Sequence, residues 1–318
     1  MHGMAIGIDI GGTHTVFGLV DEKGCLVGKR KVNTDARRGF RCMLDVIESN
    51  VNELTDGFAG ARSEVRAIGV GMPGRIDANR GICLQASNLH LHDVPVADQV
   101  ARATGLPCRI NNDVKMYVYG EALYGAGMNK EHVLGVTIGT GLSGALIVKG
   151  EPYGGYGNEA GEIGHIPVEG NDRPCNCGRI GCLETIVSAT GLARSAAQAV
   201  REGRRTVLAE YCVDPSLLTA ADVSRAYDAG DAAAIDMMHA AGVRLGEVLS
   251  VIVPMVAPDV LIVGGGVALA GERLLRPFRE ELARRVSPSF LTELTLTTAM
   301  HNDDAGVIGA AAWAAKRI

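Results

Sequence analysis

Three times along this chain an apolar run ends in a cluster of small, turn-forming residues. They are Asp9-Ile10-Gly11-Gly12-Thr13, Ile138-Gly139-Thr140-Gly141-Leu142-Ser143-Gly144 and Val263-Gly264-Gly265-Gly266-Val267. The runs before them, at 4–10, 132–139 and 259–263, read as buried β-strands. Glycine there lets backbone N–H groups come close to an anion, and threonine hydroxyls such as Thr13 and Thr15 add donors. One such turn is ordinarily a tight hairpin or a packing point. Three of them, each closing an apolar strand, predict a shared nucleotide site, because open α/β sheets bind ligands at strand ends. No Gly-x-x-x-x-Gly-Lys-Ser/Thr occurs, so the site is neither a Walker P-loop nor a protein-kinase glycine loop.

The remaining pattern alternates strands with helices, which is the signature of α/β layers. Strands are expected at 15–21, 25–33, 65–71, 108–111, 145–149 and 294–299. Helices are expected at 40–55, 95–104, 113–124, 184–200, 219–228, 231–253, 271–285 and 304–316. The strand–glycine–strand theme of 4–21 returns at 132–149, which predicts two related domains. With 318 residues the chain has room for both. A net charge of -5 argues against nucleic acid as the main partner. No apolar run is read as approaching a membrane span, and Met1-His2-Gly3-Met4 leads into a strand without a signal sequence. Cytoplasmic residence is the expectation.

Eight cysteines do not form a secreted framework. Cys25, Cys42, Cys83, Cys108 and Cys212 are scattered and read as free thiols. Cys175, Cys177 and Cys182 instead follow His165 in the pattern His-x9-Cys-x-Cys-x4-Cys, within an irregular stretch from 151 to 183. Three thiolates and an imidazole suit tetrahedral zinc with no open position, so the metal is expected to be structural. Glu162 and Glu184 flank the cluster. A metal that orders the loop would order both carboxylates, which are good acceptors for sugar hydroxyls. Asp113 begins a helix, where the dipole favours an ionised carboxylate.

On these motifs the chain resembles the ROK family of sugar kinases and repressors, within the actin-like, hexokinase-type ATPase superfamily. The resemblance covers essentially the whole chain. Its most specific part is Ala160-Gly161-Glu162-Ile163-Gly164-His165 with Cys175-x-Cys177-Gly178-x-x-Gly181-Cys182-Leu183-Glu184. It implies an α/β, two-domain actin-like ATPase (ribonuclease H-like) fold with an interdomain cleft. A smaller domain would span 1–113 and be completed by a helix at 304–318, and a larger one would span 114–303 with the zinc loop.

The same resemblance implies ATP and Mg2+ at Asp9, Gly11, Gly12, Thr13, Thr15, Gly139, Thr140, Gly141, Gly264, Gly265 and Gly266. It implies sugar contacts from Gly74, Asn88, Asn112, Asp113, Glu162, His165 and Glu184, and structural Zn2+ on His165, Cys175, Cys177 and Cys182. Asp113 would be the catalytic base that takes a proton from the primary (C6) hydroxyl of a hexose. Glucose leads on family frequency, with allose, mannose, fructose and N-acylhexosamines open. A homodimer is implied as well. The chain departs from the usual pattern at His14, Ser87, Asn111 and Lys115, which bears on which hexose is preferred. A repressor is disfavoured because the first phosphate strand begins by residue 5, and a silent sugar sensor because Asp113 and the phosphate turns are intact.

Overall fold

A computed structural model describes residues 3–57 and 61–317. Met1 and His2, read as running into the first strand, lie outside the described residues, as does Ile318 at the end of the expected last helix. The chain forms two compact α/β units. The first holds Met1–Val133, Ala145–Ala160 and Ala299–Ile318, and the second holds Leu134–Gly144 and Gly161–Thr298.

In the first unit a five-stranded sheet runs in the order Leu26–Asn33, His14–Val20, Met4–Ile10, Val65–Met72, Cys108–Asn112. The first three strands are antiparallel hairpin neighbours, and the last two join in parallel. The alternating Ile6, Ile8 and Ile10 are fully buried, with Phe17, Leu19, Ile68, Val70 and Ile110 packed beside them.

One face of this sheet carries the C-terminal helix Ala305–Ala315. The approach is so close that a Cβ on Gly7 would lie 1.8 Å from Val307 O and one on Gly69 1.7 Å from Ala310 O. Small residues are therefore a packing requirement. Gly309 likewise meets Met116 O of helix Asp113–Tyr124. The whole of that helix belongs to the first unit, whereas the resemblance implied a boundary after residue 113.

A second five-stranded sheet has the order Glu151–Pro152, Leu142–Val148, His132–Ile138, Val260–Gly264, Thr295–Thr298. A small sheet of Arg75–Asp77, Ile82–Ala86 and Leu91–Val94 has no counterpart in the sequence reading. The expected helix at 184–200 is two, Glu184–Val187 and Ala189–Arg201. They break at Ser188, whose hydroxyl accepts the Gly191 N–H as an N-cap.

Helix Ala232–Val256 is long and apolar enough to match a membrane span by length and composition, which corrects the expectation that nothing here approaches one. Its Gly242 and Gly246 pack against the backbone of helix Glu272–Arg285, and Arg244 and Glu247 form an ion pair at 2.7 Å. Those contacts describe a helix buried along one side within the second unit.

Candidate active site

In the first unit the strand ends gather the expected residues. Register places Asp9 beside Gly71, and Gly71 beside Asn111. Asp113 starts the next helix two residues further on. Desolvation at the strand end, and next the charge of Asp113, push Asp9 up to about 7. The Gly11-Gly12 turn is closed by Gly11 N–H donating to His14 O at 2.9 Å, and Gly12 and Thr13 are exposed at its tip. Thr15 is placed differently. It is buried, and its hydroxyl hydrogen-bonds Thr34 Oγ1 at 2.6 Å.

Asn112 is the N-cap of the Asp113 helix, its Oδ1 accepting the Lys115 N–H at 3.2 Å. Its Nδ2 donates to Gly74 O at 3.5 Å, so Gly74, Asn112 and Asp113 sit together. The half-buried Asp113 carboxylate accepts from Val114 N at 2.9 Å. Asn88 is exposed on the short turn Ser87–Leu89.

In the second unit the turns at 139–141 and 264–266 close neighbouring strands of one sheet. Gly265 has φ 85°, and a Cβ there would lie 2.7 Å from Ile138 O, so only glycine fits beside the first turn. Thr190 Oγ1 donates to Thr140 O at 2.8 Å, and Ala189 N–H donates to Gly139 O at 2.8 Å, anchoring that turn to the helix after Glu184. Glu184 Oε2 lies against Gly141, 3.1 Å from where a Cβ would stand.

His165, Cys175, Cys177 and Cys182 offer four ligand atoms within 4.8 Å of one another. Cys177 Sγ is 3.6 Å from Cys182 Sγ, and Cys175 Sγ is 3.7 Å from His165 Nδ1. Zinc–sulfur bonds of about 2.3 Å put tetrahedral donors roughly 3.7 Å apart. The donor set and its spacing therefore fit zinc.

The loop is shaped for this. Gly181, at φ 89°, turns the chain where a Cβ would meet Asn171 O at 2.8 Å, and Cys177 N–H points at Cys175 Sγ at 3.5 Å. Burial pushes the Cys175 thiol up, while hydrogen bonds from the backbone and side chain of Arg179 hold exposed Cys177 at about 6. A bound metal would take all three as thiolates.

The flanking carboxylates lie beside the cluster. His165 Nδ1 lies 3.6 Å from Glu184 Oε1, and Nε2 lies 3.8 Å from Glu162 Oε2. The imidazole thus offers one nitrogen to the cluster and the other to the side of exposed Glu162. The Cys175 thiol donates to Glu184 Oε1 at 2.9 Å, a bond that metal-bound thiolate would give up.

Sequence reasoning missed Asn158, whose Nδ2 donates to both Ile76 O and Asn111 Oδ1 at 3.0 Å, and it marked Lys115 only as a departure from the family pattern, not as a buried residue. A cation in the first turn of a helix opposes the dipole, and that was the available signal for Lys115.

Fold and site together define an α/β protein with glycine turns at strand ends, an acidic pair in one unit and a cysteine–histidine cluster between carboxylates in the other. The chain belongs to the ROK family, whose model matches residues 5–317. It is 34% identical over 306 residues to a glucokinase of Halalkalibacterium halodurans, covering 96% of this chain and 92% of that protein. It is 32% identical to a glucokinase of Thermotoga maritima, covering 98% of each. Among solved structures, a ROK family glucokinase from Streptomyces griseus in complex with glucose and AMPPNP superposes with a TM-score of 0.84. That match has 32% identity and covers 99% of this chain and 100% of that one.

Proposed function

We propose that this chain is an ATP-dependent hexose kinase that phosphorylates glucose on its primary (C6) hydroxyl. The observation that carries the reading is the row Glu162, His165, Glu184, held by the cysteine cluster. Two carboxylates around one imidazole make a hydrogen-bonding set for vicinal hydroxyls. The glucokinases at 34% and 32% identity, matched over nearly their full length, support the same substrate.

In this reading Asp113 accepts the hydroxyl proton as that oxygen attacks the γ-phosphorus, and the bond to the ADP oxygen breaks. Phosphoryl transfer asks the protein mainly for positioning and charge stabilisation. Backbone amides of Gly12 and Thr13, of Thr140 and Gly141 and of the Gly264–Gly266 turn supply donors toward ATP, while those of Gly11 and Gly139 close their own turns on His14 O and Gly141 O. Asp9, whose proton is loosely held near neutral pH, is the carboxylate for the Mg2+ that accompanies the nucleotide. Zinc, when bound on His165, Cys175, Cys177 and Cys182, supplies order in the loop and fixes the His165 ring. Asn88, Gly74 and Asn112 border the sugar, with Asn112 acting through its cap and its bond to Gly74. Thr15 supports the first turn from within the sheet.

The family relationship further supports a homodimer working in the cytoplasm. The test is a coupled ADP-release assay on a panel of hexoses. Glucose-dependent ADP formation at a kcat/KM well above allose, mannose, fructose and N-acetylhexosamines is expected. Turnover on none of them would overturn the reading.

A further inference from the structure

Lys115 puts an ammonium group inside the first unit. The residue is 3% exposed, and Nζ donates to Asn158 O at 3.0 Å and to Ala160 O at 2.9 Å. A charge at this depth is expensive, and its place in the first helical turn sets it against the dipole as well. An apolar side chain of the same length would avoid both penalties, so what the ammonium holds must be accounted for.

It holds a segment with little stiffness of its own. Gly154, Gly155, Gly157 and Gly161 surround it, and Asn158 itself stands at φ 62°, in the left-handed region. Asn158 Nδ2 donates to Ile76 O and to Asn111 Oδ1, and Asn111 Oδ1 also accepts the Asn112 N–H at 2.9 Å. Asn111 and Lys115, on either side of Asp113, therefore grip the same short stretch. Glu162 lies two residues beyond Ala160. On its far side Gly161 O accepts from Gly144 N–H at 2.8 Å and Ser143 Oγ at 3.1 Å. The backbone on both sides of the Ala160–Gly161 bond is pinned by hydrogen bonds.

We propose that Lys115 is a positioning residue: by clamping Asn158–Ala160 it fixes where the Glu162 segment begins and thereby sets the affinity for the hexose. The proposal rests on the reading of Glu162 as a sugar acceptor. The ammonium bonds to Asn158 O and Ala160 O point to the sugar side, so the glucose KM is the quantity expected to respond.

The test compares wild type, Lys115→Met and Asn158→Ala by hydrogen exchange and by steady-state kinetics. In Lys115→Met, amides of 153–161 should exchange at least about 10-fold faster while those of Met4–Ile10 keep their protection. The glucose KM should rise about 10-fold, with the ATP KM and kcat at saturating glucose within about 3-fold of wild type. Asn158→Ala keeps the ammonium and removes the two side-chain bonds. It should move the glucose KM in the same direction, and it decides the matter if Lys115→Met does not fold. A glucose KM within about 2-fold of wild type overturns the proposal, as does a parallel loss of kcat, both KM values and melting temperature, which marks a purely structural lysine. Wild type inactive on every hexose sinks the functional reading and the affinity claim with it, whereas wild-type activity with unchanged variants sinks the clamp alone.

Discussion

Asp9 and Asp113 lie close enough in the first unit for the charge on one to raise the proton affinity of the other. Sheet register makes this unavoidable, since Asp9, Gly71 and Asn111 stand in one row and the helix of Asp113 begins just past it. A carboxyl raised to about 7 in the folded state, against an ordinary value near 4, costs nothing below the unfolded value and costs fully above the folded one. Without nucleotide, stability should therefore fall as pH rises from about 4 to 7. Asp9→Asn should remove about 1–2 kcal/mol of that fall, seen as a smaller difference between urea unfolding at pH 5 and pH 8. An equal fall in variant and wild type would show that Asp9 is not its source.

The cysteine cluster gives a second prediction. Replacing Cys177 by Ser removes one of four ligands. Elemental analysis should find far less than one zinc per chain. The glucose KM should rise about 10-fold or more as His165 and Glu184 lose their fixed orientation. Normal glucose affinity in a zinc-free Cys177→Ser protein would separate the metal from the sugar site.

Glu121 carries a third. This fully buried carboxylate accepts the N–H groups of Ala126, Met300, His301 and Asn302 at 3.0, 2.9, 2.6 and 3.2 Å. It ties the far end of the Asp113 helix to the loop that leads into the C-terminal helix. Glu121→Ala leaves those donors buried and unpaired, and should cost about 3 kcal/mol or more by urea unfolding. A cost under about 1 kcal/mol would mean that water replaces the carboxylate freely.

Much of this was legible because the informative residues are punctuation. Glycine clusters mark strand ends, and the His-Cys spacing marks a loop that a common ligand explains. The structure brings those cysteines together as the spacing required. What was hidden depends on partners distant in sequence. Thr15 reads as a phosphate donor, and its pairing with the Thr34 hydroxyl, just past the end of the neighbouring strand, could not be read from the sequence. Ser188 breaks a helix that has no proline to announce it. The sheet of 75–94 uses strands of three to five residues, too short for a period to show. Lys115 stood out only as an unusual residue beside Asp113, and its bonds to Asn158 and Ala160 depend on the tertiary fold.

The central claim is that Asp113 is the base, and Asp113→Asn tests it most directly. Turnover of glucose with saturating MgATP should fall about 10²–10⁴-fold, while calorimetry still records glucose binding near the wild-type affinity. Turnover within a few-fold of wild type would contradict it.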